Sequence, residues 1–504
     1  MKIVELDELA EVVKNEKGNG CKVIHCHGVF DLLHIGHIRY FEEAASMGDI
    51  LVVTLTPDRY VDKGPYRPAF PEMLRAEAVA SLKTVDYVAI NEWPTAEETL
   101  NLLKPDVYVK GSEFKTVASD KTGKIQREKD VADKIGTRLA FTSDIVFSST
   151  NLINRYLSNL PDEIDEYLKL FRKRHNLAEI ESLFEKMALL KVLVIGDTIL
   201  DEYLYCEPMG KSTKDPVLTV KYQSKDIFAG GVLAVANHVA NFAQEVTLVT
   251  VLGDRDSHED FIRSQLSDKI SFYYETQTDA PTIIKRRFVD GYSFNKMFEV
   301  YDMDDSGLCR EKEENMCAWL EKNLSDYDLV IASDFGHGAI SDKMVHILCE
   351  KAPFLAVNTQ ANSGNRGFHT ITRYPRADYV CIAEHEIRLE MRKKNGNINP
   401  MMEKLSKKLG TKQFVVTRGR NGSIVMNGVV NKVSVPAFAT NIVDRVGAGD
   451  SVLSITSLAA KSGASNEMLG FIGNAVGALA VGVIGNKKSI DQQSVNKFVT
   501  SLMK

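Results

Sequence analysis

The stretch Cys26-His27-Gly28-Val29-Phe30-Asp31-Leu32-Leu33-His34-Ile35-Gly36-His37 brings two imidazoles, His34 and His37, within one helical turn of each other. The apolar run Lys22-Val23-Ile24-His25 before it reads as a buried strand, and Ile38 to Met47 after it has helical spacing. The stretch is therefore a strand-to-helix turn. Gly28 permits a backbone approach that a side chain would block, and the helix start offers unpaired N–H groups and a positive dipole end to an anion. His34 and His37, on the first turn, point the same way and can donate to one phosphate. An isolated pair at this spacing is more often two ordinary histidines; the turn around it argues for chemistry.

A second stretch, Asp444-Arg445-Val446-Gly447-Ala448-Gly449-Asp450-Ser451, leads into a helix from Val452. Glycines at a helix N-terminus make a nest of N–H groups suited to a transferring phosphoryl, and Asp450 at its edge can take a proton from an attacking hydroxyl. The same four residues, Gly447 to Asp450, could also be a helix N-cap whose glycines serve close packing.

Both turns need a sheet to hold them. Short apolar runs near 22–26, 50–55, 86–90, 106–109 and 139–142 alternate with helical patterns, which predicts a parallel sheet covered on both faces, with ligands at the strands' carboxyl ends. From 157 to 189 the composition turns to Glu, Lys, Leu and Arg with helical spacing, after a break at Pro161. A pair of amphipathic connecting helices explains this, with a dimerisation element as the alternative. Strand-like runs then recur at 218–222, 246–251, 282–289, 328–332, 354–357, 378–381 and 413–417, after a first one at Lys191-Val192-Leu193-Val194-Ile195. The division is 1–156, a connector over 157–189, and 190–504. The fold class is α/β with two doubly wound domains.

The 504 residues, 26% charged and 44% hydrophobic, are ordinary for a soluble chain, and a net charge of -6 gives no electrostatic reason to expect nucleic acid. Seven scattered cysteines without a C-x-x-C pair suggest neither a disulfide framework nor a zinc site, and fit a reducing cytoplasm. Residues 1–20 have no apolar segment of a signal peptide, and the run Phe471 to Gly485 is too short to span a bilayer and reads as a buried helix. No membrane partner is expected.

Residues 21–156 resemble the cytidylyltransferase-like nucleotidyltransferases through the H-x-G-H turn, Arg67-Pro68, Arg75, Val109-Lys110-Gly111 and Ser148-Ser149-Thr150. The resemblance implies a Rossmann-like domain in which a phosphate monoester attacks the α-phosphate of a nucleoside triphosphate. His34 and His37 would stabilise the charge that develops, with the backbone at Gly28, Val29 and Phe30 and the neighbouring Asp31 completing the nucleotide site. Lys63 and Arg75 are candidates for the β- and γ-phosphates, and Lys110, Ser149 and Thr150 for the nucleotide. Lys63 could equally be a solvated loop residue. The ending Phe147 to Thr150 resembles the sugar-phosphate adenylyltransferases, so ATP is expected, with CTP the alternative, and Mg²⁺ accompanies the triphosphate.

The second half resembles the ribokinase or phosphofructokinase-B sugar kinases: Gly196-Asp197 with Asp201, Ala229-Gly230-Gly231 before a helix, Ser333 to Gly338, Thr417-Arg418-Gly419 with Gly422, and the Gly447-Ala448-Gly449-Asp450 nest. This implies Asp450 as the base and Asp201, Gly230 and Gly231 at the sugar. Thr417, Gly419, Gly422, Gly447, Ala448 and Gly449 would lie at ATP, and Glu386 at the metal. The chain departs from the family pattern at Ala234, Ala383, Asn358-Thr359-Gln360 and Arg445, which leaves open an altered substrate or a weakened kinase. The expected partners are a sugar phosphate and a nucleoside triphosphate, and a homo-oligomer is expected. The function implied is nucleotidyl transfer to a sugar 1-phosphate together with phosphorylation of a sugar or sugar phosphate; a kinase-like half that only binds ligand or builds an oligomer is the alternative.

Overall fold

The structure, a computed structural model, describes residues 2–61, 67–112, 124–142, 160–428 and 431–504. It divides into two compact units, Met1–Asp165 with Asn496–Lys504, and Glu166–Val495. The boundaries expected at 156 and 190 lie on either side of this division. Among the described residues no helix is long and apolar enough to cross a membrane, and all seven cysteines are free thiols.

The first unit is built on five parallel strands, β1 (Val23–Gly28), β2 (Ile50–Leu55), β3 (Tyr87–Ile90), β4 (Val107–Lys110) and β5 (Arg138–Phe141), in the order β3-β2-β1-β4-β5. Successive side chains of a strand face opposite ways, and the core follows that rule. Val23 and Val52 join one apolar cluster with Leu6, Leu9 and Val13 of helix α1 (Leu6–Gly18), whereas Ile24, Cys26 and Val53 join another with Phe41 of helix α2 (Ile35–Ala45). Helices therefore cover both faces. The strand order reverses between β1 and β4, so the crevice for a ligand opens at their carboxyl ends. β1 runs there into the two-histidine turn and β4 ends on Lys110.

The second unit is organised by one long strand, β6 (Lys191–Lys211). Its first half pairs in parallel with β8 (Glu245–Arg255) and β12 (Leu329–Asp334). From β12 the sheet continues through β13 (Leu355–Thr359), β14 (Tyr379–Ala383) and β15 (Gln413–Thr417), then antiparallel β16 (Ser423–Asn427) and β17 (Asn431–Val435). β9 (Ile270–Pro281) extends the other edge beside β8. The second half of β6 leaves this sheet and pairs with β7 (Leu218–Gly231) and β10 (Ile283–Asp290), the latter flanked by β11 (Lys296–Asp302). A smaller sheet thus stands over the carboxyl ends of the main one. The sequence marks neither the continuation of β6 past Asp197 nor β9, β11, β16 and β17.

The connector pattern forms two helices, Asp162–Arg174 and Leu177–Met187. Ile180, Leu183, Phe184 and Met187 of the second are buried, and Phe184 meets Phe242 edge to face at 6.0 Å between centroids. Its apolar stripe is therefore part of the second unit's core. The run expected as a buried helix, Phe471 to Gly485, is helical only as far as Ala480, in the helix Asn466–Ala480, with Phe471, Ile472, Ala475 and Val476 fully enclosed; its last five residues form a turn.

Candidate active sites

His34 is the N-cap of α2, and its Nδ1 accepts the Gly36 N–H at 3.1 Å. In a neutral ring that leaves the proton on Nε2, so His34 presents a donor. Burial lowers its pKa and keeps the ring neutral at physiological pH. The His37 ring stacks on it, centroids 4.0 Å apart and 24° between planes, so the two imidazoles act at one place. Phe30, at φ +47°, meets His37 edge-on at 5.5 Å and Phe41 at 4.9 Å, which fixes the lower ring against the core.

Several neighbours expected at the nucleotide hold the turn instead. A Cβ at Gly28 would lie 2.9 Å from Phe30 Cζ, so the missing side chain makes room for the Phe30 ring. Phe30 itself belongs to the core. Asp31 pairs with Arg67 Nε at 2.8 Å and accepts the Ala69 N–H at 2.6 Å, tying the turn to the 67–70 segment. Arg75 is fully buried: it donates to the carbonyls of Val29, Thr56 (2.9 Å) and Phe70 (3.0 Å) and pairs with Asp58 at 2.7 Å. Those bonds occupy its fork, so the phosphate role expected of it becomes a scaffolding one. Lys110 is held by Glu128 at 2.9 Å, and Glu128 also accepts from Tyr108 at 3.0 Å. Lys63, Ser149 and Thr150 lie outside the described residues. Sequence reasoning missed a buried chain beside the turn, in which Thr54 Oγ1 bridges His25 Nε2 at 2.8 Å and His27 Nδ1 at 2.9 Å, with His27 Nε2 3.2 Å from Thr56 Oγ1.

In the second unit Gly447, at φ +79°, is the N-cap of the helix Ala448–Lys461. The space of its side chain is taken by Asn486, whose Oδ1 would lie 2.1 Å from a Cβ there, whereas nothing lies within 4 Å of the position at Gly449. The nest is closed on one side and open on the other. Asp444 fixes it from behind: it accepts from Tyr203 Oη (2.6 Å), Lys296 Nζ (2.7 Å), and the N–H groups of Arg445 (2.7 Å) and Gly485 (3.0 Å). Asp450, on the first turn, is buried, and its Oδ1 accepts from Gln360 Nε2 at 2.7 Å. Burial, then the charge of Asp201, pushes its pKa up to about 7, with Gln360 and Lys285 pulling the other way. A carboxyl near neutrality suits a general base.

Asp201 stands opposite, paired with Arg287 and 3.5 Å from Asn486 Nδ2. A Cβ at Gly230 would meet Asp201 Oδ2 at 2.2 Å, and one at Gly231 would meet the Asp197 carbonyl at 2.6 Å. These glycines therefore make room for the aspartates of β6. Asp197 in turn accepts the N–H groups of Phe335 (2.8 Å) and Ala339 (3.0 Å), which anchors the Ser333–Gly338 turn over the site.

Two residues expected at ligands have structural partners of their own. Glu386 accepts the N–H groups of Ala383 (2.6 Å) and Ala361 (3.0 Å), a capping-box role, and burial raises its pKa to about 7. Both carboxylate oxygens of Glu386 are thus engaged by backbone amides, and no group of three or more His, Cys, Asp or Glu able to hold a metal occurs among the described residues. The described residues therefore offer no preformed cage for a resident metal. Gly422 (φ +75°) serves strand packing, since a Cβ would lie 1.9 Å from the Val435 carbonyl. Thr417 ends β15, and Gly419 (φ +55°) opens the turn to β16 with free space around it.

Sequence reasoning also missed Lys285 and His337. Lys285 of β10 is buried over the rings of Tyr301 and Phe335, 5.1 and 5.7 Å from their centroids, and burial lowers its pKa. No carboxylate of the described residues pairs with it. His337 is buried with both ring nitrogens unpartnered, and burial first, then Lys285, depresses its pKa to about 3. An imidazole buried with both nitrogens unpartnered is costly unless a ligand meets it, and the Lys285 charge is close enough to act on it.

The raised carboxyls set a pH dependence. Asp450 and Glu386 hold protons in the folded unit up to about pH 7, whereas the unfolded chain loses them near its ordinary values of 3.8 and 4.5. The unfolded state thus binds fewer protons between those limits, and stability falls as pH rises through that window. Thermal unfolding should show Asp450→Asn more stable than wild type at pH 8, on the order of 3–4 kcal/mol, with the gap shrinking towards pH 4. A gap that does not change with pH would contradict the assignment.

Residues 25–155 match the family model described as cytidylyltransferase-like. The "Bifunctional protein HldE" of Geobacter metallireducens is 37% identical over 165 residues, 32% of this chain and 32% of that protein. The protein of the same name from Citrifermentans bemidjiense is 42% identical over 115 residues, 22% and 24% of the two chains. The matched part is thus a third or less of these relatives' length. Crystal structures of Escherichia coli phosphofructokinase-2, with potassium and with substrates and products, superpose at TM-scores of 0.53 and 0.52; each covers 63% of this chain and 100% of that one, at 14% identity. That likeness shows a common fold. Residues 189–493, more than half of the chain, match the model of the pfkB family carbohydrate kinases, and the chain belongs to that family.

Proposed function

We propose that the chain serves the making of a nucleotide-activated sugar, phosphorylating a sugar phosphate in the second unit and transferring a nucleotidyl group, adenylyl in preference to cytidylyl, to a sugar 1-phosphate in the first. The precedent is the class of enzymes that combine a heptose-phosphate kinase with a heptose-1-phosphate adenylyltransferase.

In the kinase reaction the acceptor hydroxyl gives its proton to Asp450 as its oxygen bonds to the γ-phosphorus of MgATP and the bond to the β,γ-bridging oxygen breaks, releasing ADP. N–H groups of Ala448 and Gly449 and the helix dipole meet the charge on the transferring group. Asp201 and Asn486 orient the acceptor. In the other unit an oxygen of the sugar 1-phosphate attacks the α-phosphorus and pyrophosphate leaves, with the Nε2 proton of His34 and the ring of His37 meeting the charge.

The observation that carries the kinase reading is Asp450, a carboxyl near neutrality at the edge of an open nest. Lys285 and His337 favour a phosphorylated acceptor over a neutral one. Lys285→Met should raise KM for a sugar phosphate about 10–100-fold, the worth of a lost charge-assisted hydrogen bond, with KM for ATP little changed. Equal KM in variant and wild type would remove Lys285 from acceptor binding. A homo-oligomer is supported by the exposed Met209, Leu218, Tyr222, Phe298 and Val300 on the smaller sheet. The second connector helix, Leu177–Met187, packs its apolar stripe into the second unit's core, which supports the connecting role over dimerisation for that helix.

A further inference from the structure

We propose that Gln360 is a positioning residue for the kinase reaction, its carboxamide holding one oxygen of Asp450 so that the other is left to take the acceptor's proton. The inference rests on the kinase reading above. Among the described residues the Gln360 bond, at 2.7 Å, is the one hydrogen bond to the Asp450 carboxylate. An amide N–H donor favours the ionised form of a carboxyl and fixes its plane, and, unlike a lysine, it adds no charge that would hold the proton off later.

The amide can do this because its own backbone is fixed. The Gln360 N–H donates to the Asp334 carbonyl at 3.0 Å, and its carbonyl accepts from Asn365 Nδ2 at 2.7 Å. Asn365 and Asn362 both donate to the Phe335 carbonyl, at 3.0 and 2.8 Å, and the Phe335 N–H is held by Asp197. A continuous set of bonds thus runs from β6 to the side chain that touches Asp450. The charged and titratable groups facing Asp450 are Asp201 from β6, Lys285 from β10, Glu386 from the helix Glu384–Glu390, and Cys381 from β14. Asp201 and Glu386 oppose ionisation; Gln360 opposes them more than Lys285 does.

The test is the pH profile of acceptor-dependent ADP formation, from pH 6 to 9, in the full chain and in Gln360→Met and Gln360→Glu. Gln360→Met keeps the bulk and removes the donor. Its acidic limb should move up by about one pH unit, giving a loss of roughly fivefold at pH 7 that nearly disappears at pH 9, with KM for ATP unchanged. Gln360→Glu, which faces Asp450 with a second carboxyl, should move the limb further. A loss equal at all pH values, or no loss, would overturn the inference. Thermal unfolding against pH needs no acceptor: in Gln360→Met the fall in stability tied to Asp450 should extend about one pH unit higher. An unchanged window there overturns the inference whatever the acceptor, whereas a wild type without acceptor-dependent ADP formation overturns the kinase reading. If Gln360→Met does not fold, Gln360→Glu carries both measurements.

Discussion

Asp450→Asn is expected to lower acceptor-dependent ADP formation by about 10²–10⁴-fold, the range for losing a positioned general base, while pyrophosphate release by the other unit stays at the wild-type rate. The substitution keeps the shape of the side chain and its bond from Gln360, so the nest at Gly447 to Gly449 is preserved. It removes the carboxyl at the edge of the nest that can take a proton. Asp201 cannot replace it, because its carboxylate is already paired with Arg287. The same variant should be the more stable protein above pH 7, since a buried carboxyl that must ionise for function costs stability there. Loss of activity joined to gain of stability separates a catalytic carboxyl from a structural one. Activity retained within a few-fold of wild type would take Asp450 out of the chemistry.

His34→Asn and His37→Ala are each expected to reduce pyrophosphate release by about 10²–10³-fold, the usual effect of removing one transition-state donor, and to leave ADP formation intact. Asparagine is chosen at position 34 because the imidazole also caps α2 through Gly36. Asn keeps that cap and removes the Nε2 donor. At His37 the stacked partner goes while Phe30 and Phe41 remain to hold the turn. Pyrophosphate release at the wild-type rate in either variant would refute its assigned role.

The features legible in the sequence are those in which chemistry and backbone share one short segment. His34 and His37 on one turn, and Gly447 to Asp450 at a helix start, are local patterns, and the structure brings each pair of groups together as their spacing predicts. The strands of the first unit were legible too, because each is a short apolar run bounded by breakers. Residues gathered from distant strands were not. Lys285 and Arg287 alternate along β10 in a run, Ile283-Ile284-Lys285-Arg286-Arg287, that reads as a half-exposed strand; it is the smaller sheet folding over the main one that buries them. Asn486 and Asp444 act through bonds to residues far away in the chain. Glycines carry a second role that the sequence does not show. Gly28, Gly230 and Gly422 suggested ligand approach, and each also makes room for a neighbouring group of the protein: the Phe30 ring, the Asp201 carboxylate and the Val435 carbonyl. Arg75 has the charge for phosphate but spends its donors on three carbonyls and Asp58, which only the tertiary structure reveals.

Two group-transfer reactions carried by one chain on two units are most directly tested with ATP labelled at either the α- or the γ-phosphate. The full chain is supplied with each label against a panel of sugar phosphates including sugar 1-phosphates, and the fate of the label is followed. The γ-label should pass to a sugar phosphate, in a reaction lost in Asp450→Asn. The α-label should pass to a sugar 1-phosphate with release of pyrophosphate, in a reaction lost in His37→Ala. Transfer of α-label alone, with no member of the panel taking γ-label, would contradict the two-reaction reading.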